Sequence, residues 1–140
     1  LANKLWIKVA DLTALHGDHY KAIELYEKVA QASINNNLMH YLVKDYLLKA
    51  GICHLATGDA IGTARALENY RGLDPGFEQQ REYTLLVDLL HTIEDLDAVA
   101  FTVKRYAYEQ MNRFDRWKTD MLGKVKVSIE AAAEDDNEFA

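Results

Sequence analysis

The sequence predicts an all-α fold: a stack of antiparallel helix pairs that ends in a C-terminal helical bundle. Three observations carry this expectation. Apolar residues recur at helical spacing along nearly the whole 140-residue chain. One proline and seven glycines leave long stretches unbroken, whereas strands need more frequent turn signals. The breaks that do occur are short and rich in capping residues, which makes consecutive helices antiparallel neighbours.

The first helix is expected over Ala2 to Leu15, with Leu5, Val9, Leu12 and Leu15 along one side. His16-Gly17-Asp18 ends it, because Gly17 suits a left-handed C-cap and Asp18 caps the next helix. The second helix carries Ala22, Leu25, Tyr26, Val29 and Ala30 to about Ile34. Asn35-Asn36-Asn37 reads as a turn, since asparagine tolerates positive φ and bonds its own backbone. The third helix, about Leu38 to Ala56, is apolar on most of its circumference and therefore central, with Lys44 and Lys49 expected at its exposed margin. Thr57-Gly58-Asp59 breaks and recaps the chain before a fourth helix, about Ala60 to Tyr70. Pro75 stops the helical pattern between Gly72 and Gly76. A fifth helix runs from about Glu78 to Ile93 with Tyr83, Leu86, Leu90 and Ile93 inward. Glu94-Asp95-Leu96-Asp97 turns into a sixth, about Ala98 to Met111. Asp115 caps a seventh, about Arg116 to Ala132, which buries Trp117, Met121, Leu122, Val125 and Ile129. Residues 133–140 lack amphipathic patterning and are expected to be a mobile acidic tail beyond a helical domain of residues 1–132.

A weak internal repeat narrows the architecture. Gly17, Tyr20, Ala22 and Tyr26 match the small-and-aromatic pattern of a tetratricopeptide repeat (TPR), and Ala66 and Tyr70 echo Ala22 and Tyr26 after 44 residues. Small residues let paired helices approach closely while the aromatic wedges between pairs. The expected fold is a TPR-like α-solenoid of irregular period.

Composition excludes several classes of function. A formal net charge of −6 argues against a general nucleic-acid binder. The single cysteine, Cys53, cannot form an internal disulfide, which fits the cytosol. No apolar run approaches the ~18 residues of a membrane span. The chain opens at Leu1 inside a helical pattern, without an initiator methionine, and is expected to be part of a longer protein.

No chemistry is legible. His16 and His19 straddle a glycine turn, and His40, His54 and His91 have no carboxylate partner at ligand spacing, so no metal is expected. Cys53 and His54 are adjacent on a helix and point apart, which leaves Cys53 a core residue. Glu94, Asp95 and Asp97 lack the rest of a twelve-residue calcium loop. Phosphate-binding glycine loops and nucleophile elbows are absent. The chain reads as a non-enzyme without a cofactor.

Charge placement remains. Lys8, Lys44, Lys49 and Arg81 lie on different helices near the margins of the apolar stripes. In a solenoid such margins align, so they form either a basic strip or an ordinary solvated face. Asp59, Glu94, Asp95 and the tail form a second, acidic group. Phe139 is a large apolar residue in the acidic tail, a composition suited to docking on a basic surface with a pocket. One reading of such surfaces is a generic TPR-like module that grips an extended peptide, as a co-chaperone or scaffold does; a metal-assisted enzyme is remote.

Several segments resemble one family. They are Lys8-Val9-Ala10; Lys21 to Val29 (KAIELYEKV); Lys44-Asp45-Tyr46 with Lys49-Ala50 and Cys53-His54; Arg81-Glu82; and Arg113-Phe114-Asp115-Arg116-Trp117 with Met121-Leu122. In this order they resemble the soluble NSF attachment proteins of the α-SNAP type, and specifically the C-terminal portion of those proteins.

The resemblance implies an adaptor that wraps an assembled SNARE four-helix bundle and recruits the hexameric AAA+ ATPase NSF, in vesicle fusion and intracellular protein transport. It implies SNARE contacts at Lys8, Lys44 and Arg81, with Lys49 added, on a basic concave face. It implies that the ATPase's N-terminal domains meet Asp59, Glu94, Asp95, Glu134, Asp135, Asp136 and Glu138. The family's penultimate leucine, needed to stimulate ATP hydrolysis, corresponds to Phe139, and Asn137 interrupts the acidic run before it. The implied location is cytoplasmic, with indirect membrane association through SNAREs, since the family's membrane-contacting loop lies in an N-terminal half the chain is expected to lack.

Overall fold

The structure, a computed structural model, describes residues 2–138; Leu1, Phe139, Ala140 and the side chain of Glu138 lie outside the described residues. Helix α1 spans Ala2–Leu15, α2 His19–Ser33, α3 Val43–Ala56, α4 Ala60–Leu73, α5 Arg81–Glu94, α6 Ala98–Glu109 and α7 Arg116–Glu138. Short 3-10 turns at His40–Leu42 and Pro75–Gln79 lead into α3 and α5. The described residues contain no strand, and the all-α stack is as the sequence predicts.

Three helical hairpins, α1/α2, α3/α4 and α5/α6, close by the same chemistry. A residue with positive φ ends the first helix: Gly17 at 92°, Gly58 at 77° and Leu96 at 53°. The next residue is an aspartate whose carboxylate accepts a backbone N–H of the second helix. Asp18 accepts from Lys21 at 3.2 Å, Asp59 from Gly62 at 2.9 Å and Asp97 from Ala100 at 2.9 Å. At the first and third turns the aspartate N–H also reaches back to Thr13 O at 3.1 Å and Thr92 O at 2.9 Å, as a Schellman turn requires. Leu96 hides the third copy from a search for Gly-Asp. It adopts a backbone conformation that costs a leucine roughly 1–2 kcal/mol.

Helix α3 sits at the centre and packs against α2, α4, α5 and α7. Tyr46 to Cys53 is buried without interruption, so the all-round apolar reading of this segment is correct. The Cys53 thiol is buried, and its pKa is pushed up to about 12, first by burial and then by Asp11. A Cβ on Gly51 would lie 2.5 Å from Leu86 Cδ1, and Leu86 is fully buried. The bare backbone at Gly51 therefore lets α3 and α5 close on each other.

In α1 the inward side is set by Ala10 and Ala14, both with no exposed area, while Leu5 and Leu12 are 63% and 60% exposed. The small residues bring α1 close to α2, where Ala22, Tyr26 and Ala30 are fully buried. Leu5 and Leu12 consequently face away from the core, while Leu15 packs against it.

Two polar networks cross these packing planes. Asp11 of α1 receives the Tyr26 hydroxyl from α2, and Lys49 Nζ from α3 at 3.1 and 3.3 Å. Trp117 of α7 donates its indole N–H to the Asp11 backbone carbonyl at 3.1 Å. The Lys49 ammonium lies 5.2 Å from the Trp117 ring and 5.9 Å from that of Tyr26. This corrects the expected position of Lys49: its side chain is only 8% exposed. The apolar circumference of α3 leaves no solvated margin there, and a buried ammonium requires a carboxylate partner. In the second network Glu27 of α2 accepts from Tyr70 of α4 and lies 3.4 Å from His54 Nε2 of α3.

Helix α7 differs from the expected end near Ala132 and continues to Glu138. Ala131-Ala132-Ala133 are strong helix formers, and lengthening an anchored helix needs no new nucleus. Lack of an amphipathic face did not prevent helix here.

Two outcomes are expected from these networks. Asp11→Ala strands the buried Lys49 charge and lowers unfolding free energy by about 3 kcal/mol, whereas Lys49→Met changes it by less than about 1 kcal/mol. Urea titration of both variants and their double mutant checks this, and equal losses from the two single variants contradict it. Burial opposes the Glu27 charge, but the bonds from His54 and Tyr70 and the His54 charge hold its pKa below the ordinary 4.5. Its stabilising contribution is therefore full above that ordinary value and disappears as pH falls through the lowered one. Glu27→Gln is expected to lower stability at neutral pH and to flatten the acid limb of the stability–pH curve.

Candidate functional site

Lys44 and Arg81 occupy equivalent places, in the first turns of α3 and α5, and both are exposed. The structure brings them to one surface. Lys44 borders a shallow depression with His40, Tyr41, Asp74, Gly76 and Gln80. Gln80 also borders the next depression, with Arg81, Thr84, Asp88, Lys104 and Tyr108. Arg81 is held in place: its Nη1 donates to Asn112 Oδ1 at 2.6 Å, and the guanidinium carbon lies 5.2 Å from the Tyr108 ring. Tyr108 is anchored in turn by its hydroxyl, which donates to buried Glu82 at 3.1 Å.

Lys104, from α6, shares the Arg81 depression and is not among the cations that the sequence singles out. It lies two turns before the Asn112 that steadies Arg81, but nothing in one sequence joins those positions to Arg81. Lys8 is exposed on α1, and it borders neither depression. Lys49 is spent on Asp11 inside the stack. Lys118, a further cation near this side, is 2.7 Å from Asp45 and largely covered.

The acidic group lies at the other end of the same helices. Asp59, Glu94 and Asp95 are exposed in the α3/α4 and α5/α6 turns. Gly58 and Glu94, from the two turns, border one crevice together with Ser128 and Ala132 of α7. That crevice brings the two turns to the part of α7 that leads into Glu134, Asp135 and Asp136, which are exposed. The side chain of Glu138 and all of Phe139 lie outside the described residues. Arg81 opens α5 and Glu94 closes it, so one 14-residue helix, roughly 20 Å, separates the basic surface from the acidic end.

This polarity runs against the helix macrodipole. Cations are favoured at helix C-termini and anions at N-termini by about 0.3–1 kcal/mol. Lys44 and Arg81 stand at N-termini, while Glu94, Asp95 and the α7 carboxylates stand at C-termini. Only Asp59 gains from its position, as the α4 cap. Helix stability does not account for the rest. Among the described residues no three His, Cys, Asp or Glu side chains are gathered to hold a metal, and no helix is long and apolar enough to cross a membrane.

The family model for the soluble NSF attachment protein, SNAP, matches residues 1–130. A probable vesicular-fusion protein sec17 homolog of Neurospora crassa is 52% identical over 140 residues, covering 100% of this chain and 47% of that protein. The corresponding Schizosaccharomyces pombe protein is 51% identical over 135 residues, 96% of this chain and 47% of its own length. Human alpha-soluble NSF attachment protein is 35% identical over 134 residues, 96% of this chain and 45% of its own. The chain thus spans about half the length of the curated relatives it matches. It belongs to the soluble NSF attachment protein family.

Proposed function

We propose that this chain is the binding portion of an adaptor in vesicle fusion: it grips assembled SNARE complexes through its basic surface and presents its acidic end to an NSF-type AAA+ ATPase. The observation that carries the reading is the placement of exposed Lys44 and Arg81 at one end of α3 and α5 and of exposed Asp59, Glu94 and Asp95 at the turns of the other end, in a member of this family. Lys44 and Arg81, with Lys104 beside them and Lys8 on α1, are the contacts for an acidic four-helix bundle. Asp59, Glu94, Asp95, Glu134, Asp135, Asp136 and Glu138 are the contacts for basic surfaces on the ATPase's N-terminal domains. Phe139 is the residue that couples binding to ATP hydrolysis. The adaptor makes and breaks no bond itself. It acts in the cytoplasm and reaches membranes through the SNAREs.

The mechanism derives from the kind of contact. Dispersed cations on a rigid stack read charge and shape rather than sequence, so one adaptor serves many SNARE bundles. Each contact is weak in salt water, where the Debye length is about 8 Å. Several adaptors around one bundle, held by one hexamer, multiply such contacts.

Lys44→Glu with Arg81→Glu is expected to weaken binding of an assembled SNARE bundle by about tenfold or more and to reduce its salt dependence, with helical circular dichroism unchanged. Unaltered co-sedimentation of this double variant rules out the basic surface as the SNARE contact. In the full-length protein, deletion of residues 138–140 should leave SNARE binding intact and reduce ATPase stimulation several-fold. Stimulation equal to that of the intact protein counts against the role given to Phe139.

A further inference from the structure

The crevice at the acidic end has a lining unlike its rim. Leu55 of α3, Ile93 of α5, Leu96 of the α5/α6 turn, and Val125 and Ile129 of α7 form its apolar walls, with Ser128 and Ala132 on the α7 lip. Its volume is about 300 Å³, room for one leucine- or phenylalanine-sized side chain, at the lower bound of small ligand sites. Glu94 stands on its edge, with Asp59 and Asp95 next in sequence to the edge residues Gly58 and Glu94. Ion pairing does not occupy this rim: none of these three carboxylates takes part in a salt bridge among the described residues.

Leu96 adds an independent sign. The equivalent positions in the other two hairpins are glycines, as a positive φ favours, yet here a leucine is held at φ 53°. Strain of this kind persists where the surroundings or a function require the side chain. The leucine supplies one wall of the crevice, which a glycine would leave open.

We infer that this crevice receives one apolar side chain of the ATPase's N-terminal domain, flanked there by Lys or Arg residues that meet Glu94, Asp95 and Asp59. The inference rests on the reading of the acidic end as the ATPase contact and adds a site to it. The carboxylates attract and orient the basic surface, and the crevice fixes the register by burying an apolar anchor, the arrangement of hot spots inside a polar rim. The two contributions respond differently to salt: screening weakens the rim and leaves the anchor largely intact.

Titration of the purified N-terminal domain of an NSF-type ATPase by calorimetry, at low and high salt, tests this. Ser128→Phe fills the crevice from the exposed lip, and Leu96→Gly removes a wall while relieving the backbone. Each is expected to weaken binding by about tenfold at both salt concentrations, with a melting temperature within a few degrees of the parent's. Glu94→Lys with Asp95→Lys is the companion variant, expected to weaken binding strongly at low salt and little at high salt. If the charge variant weakens binding while Ser128→Phe and Leu96→Gly both bind like the parent, the anchor site is overturned and the ATPase reading stands. If the charge variant has no effect, the ATPase reading itself fails and the anchor site with it. Should Ser128→Phe fail to fold, Leu96→Gly alone decides, because its backbone change does not disfavour the native turn.

Discussion

Four helices meet at the carboxylate and carbonyl of Asp11. Tyr26, Lys49 and Trp117 converge on it from α2, α3 and α7, and Trp117 is 106 residues away in sequence. Such a junction is directional, unlike the apolar core around it. Hydrophobic burial tolerates sliding of one helix along another, whereas a charged amine seated between two aromatic rings and a carboxylate tolerates little. The register of α1 against α7, and so the closure of the stack, is set there and by Lys124 of α7, whose ammonium donates to the Leu15 carbonyl at 3.0 Å. The surfaces at the two ends of α3 depend on it in turn.

Among the features that inherit it is the distribution of charge. The basic residues of α3 and α5 share one end because the two helices are parallel members of successive hairpins, and the acidic turns share the other for the same reason. A solenoid thus converts a local choice, an exposed cation where a helix begins and a carboxylate in the turn where it ends, into two separated surfaces.

Much of the fold was legible in residue order. Periodicity located all seven helices, and cap chemistry located Asp18 and Asp59. The third hairpin carried the same cap at Asp97 but was disguised by Leu96, because a leucine at positive φ is held by tertiary surroundings that no local rule contains. Lys49 was misplaced for a related reason: charge predicts exposure until a carboxylate 38 residues away takes it inside. Lys104 was invisible because its partner surface is assembled from α5 and α6 together. The end of α7 lies beyond its amphipathic stretch because alanine propensity suffices there. The resemblance to a family supplied the partners, which periodicity and capping could not.

Gly51 has a consequence beyond close packing. In a stack of repeating pairs, the spacing of one pair on the next is a rotation and a translation that every later unit compounds. The missing side chain that seats α3 against Leu86 therefore sets one step of the stack. A methyl group at that position would act less as a local defect than as a change of gauge, felt most at the unit farthest from it.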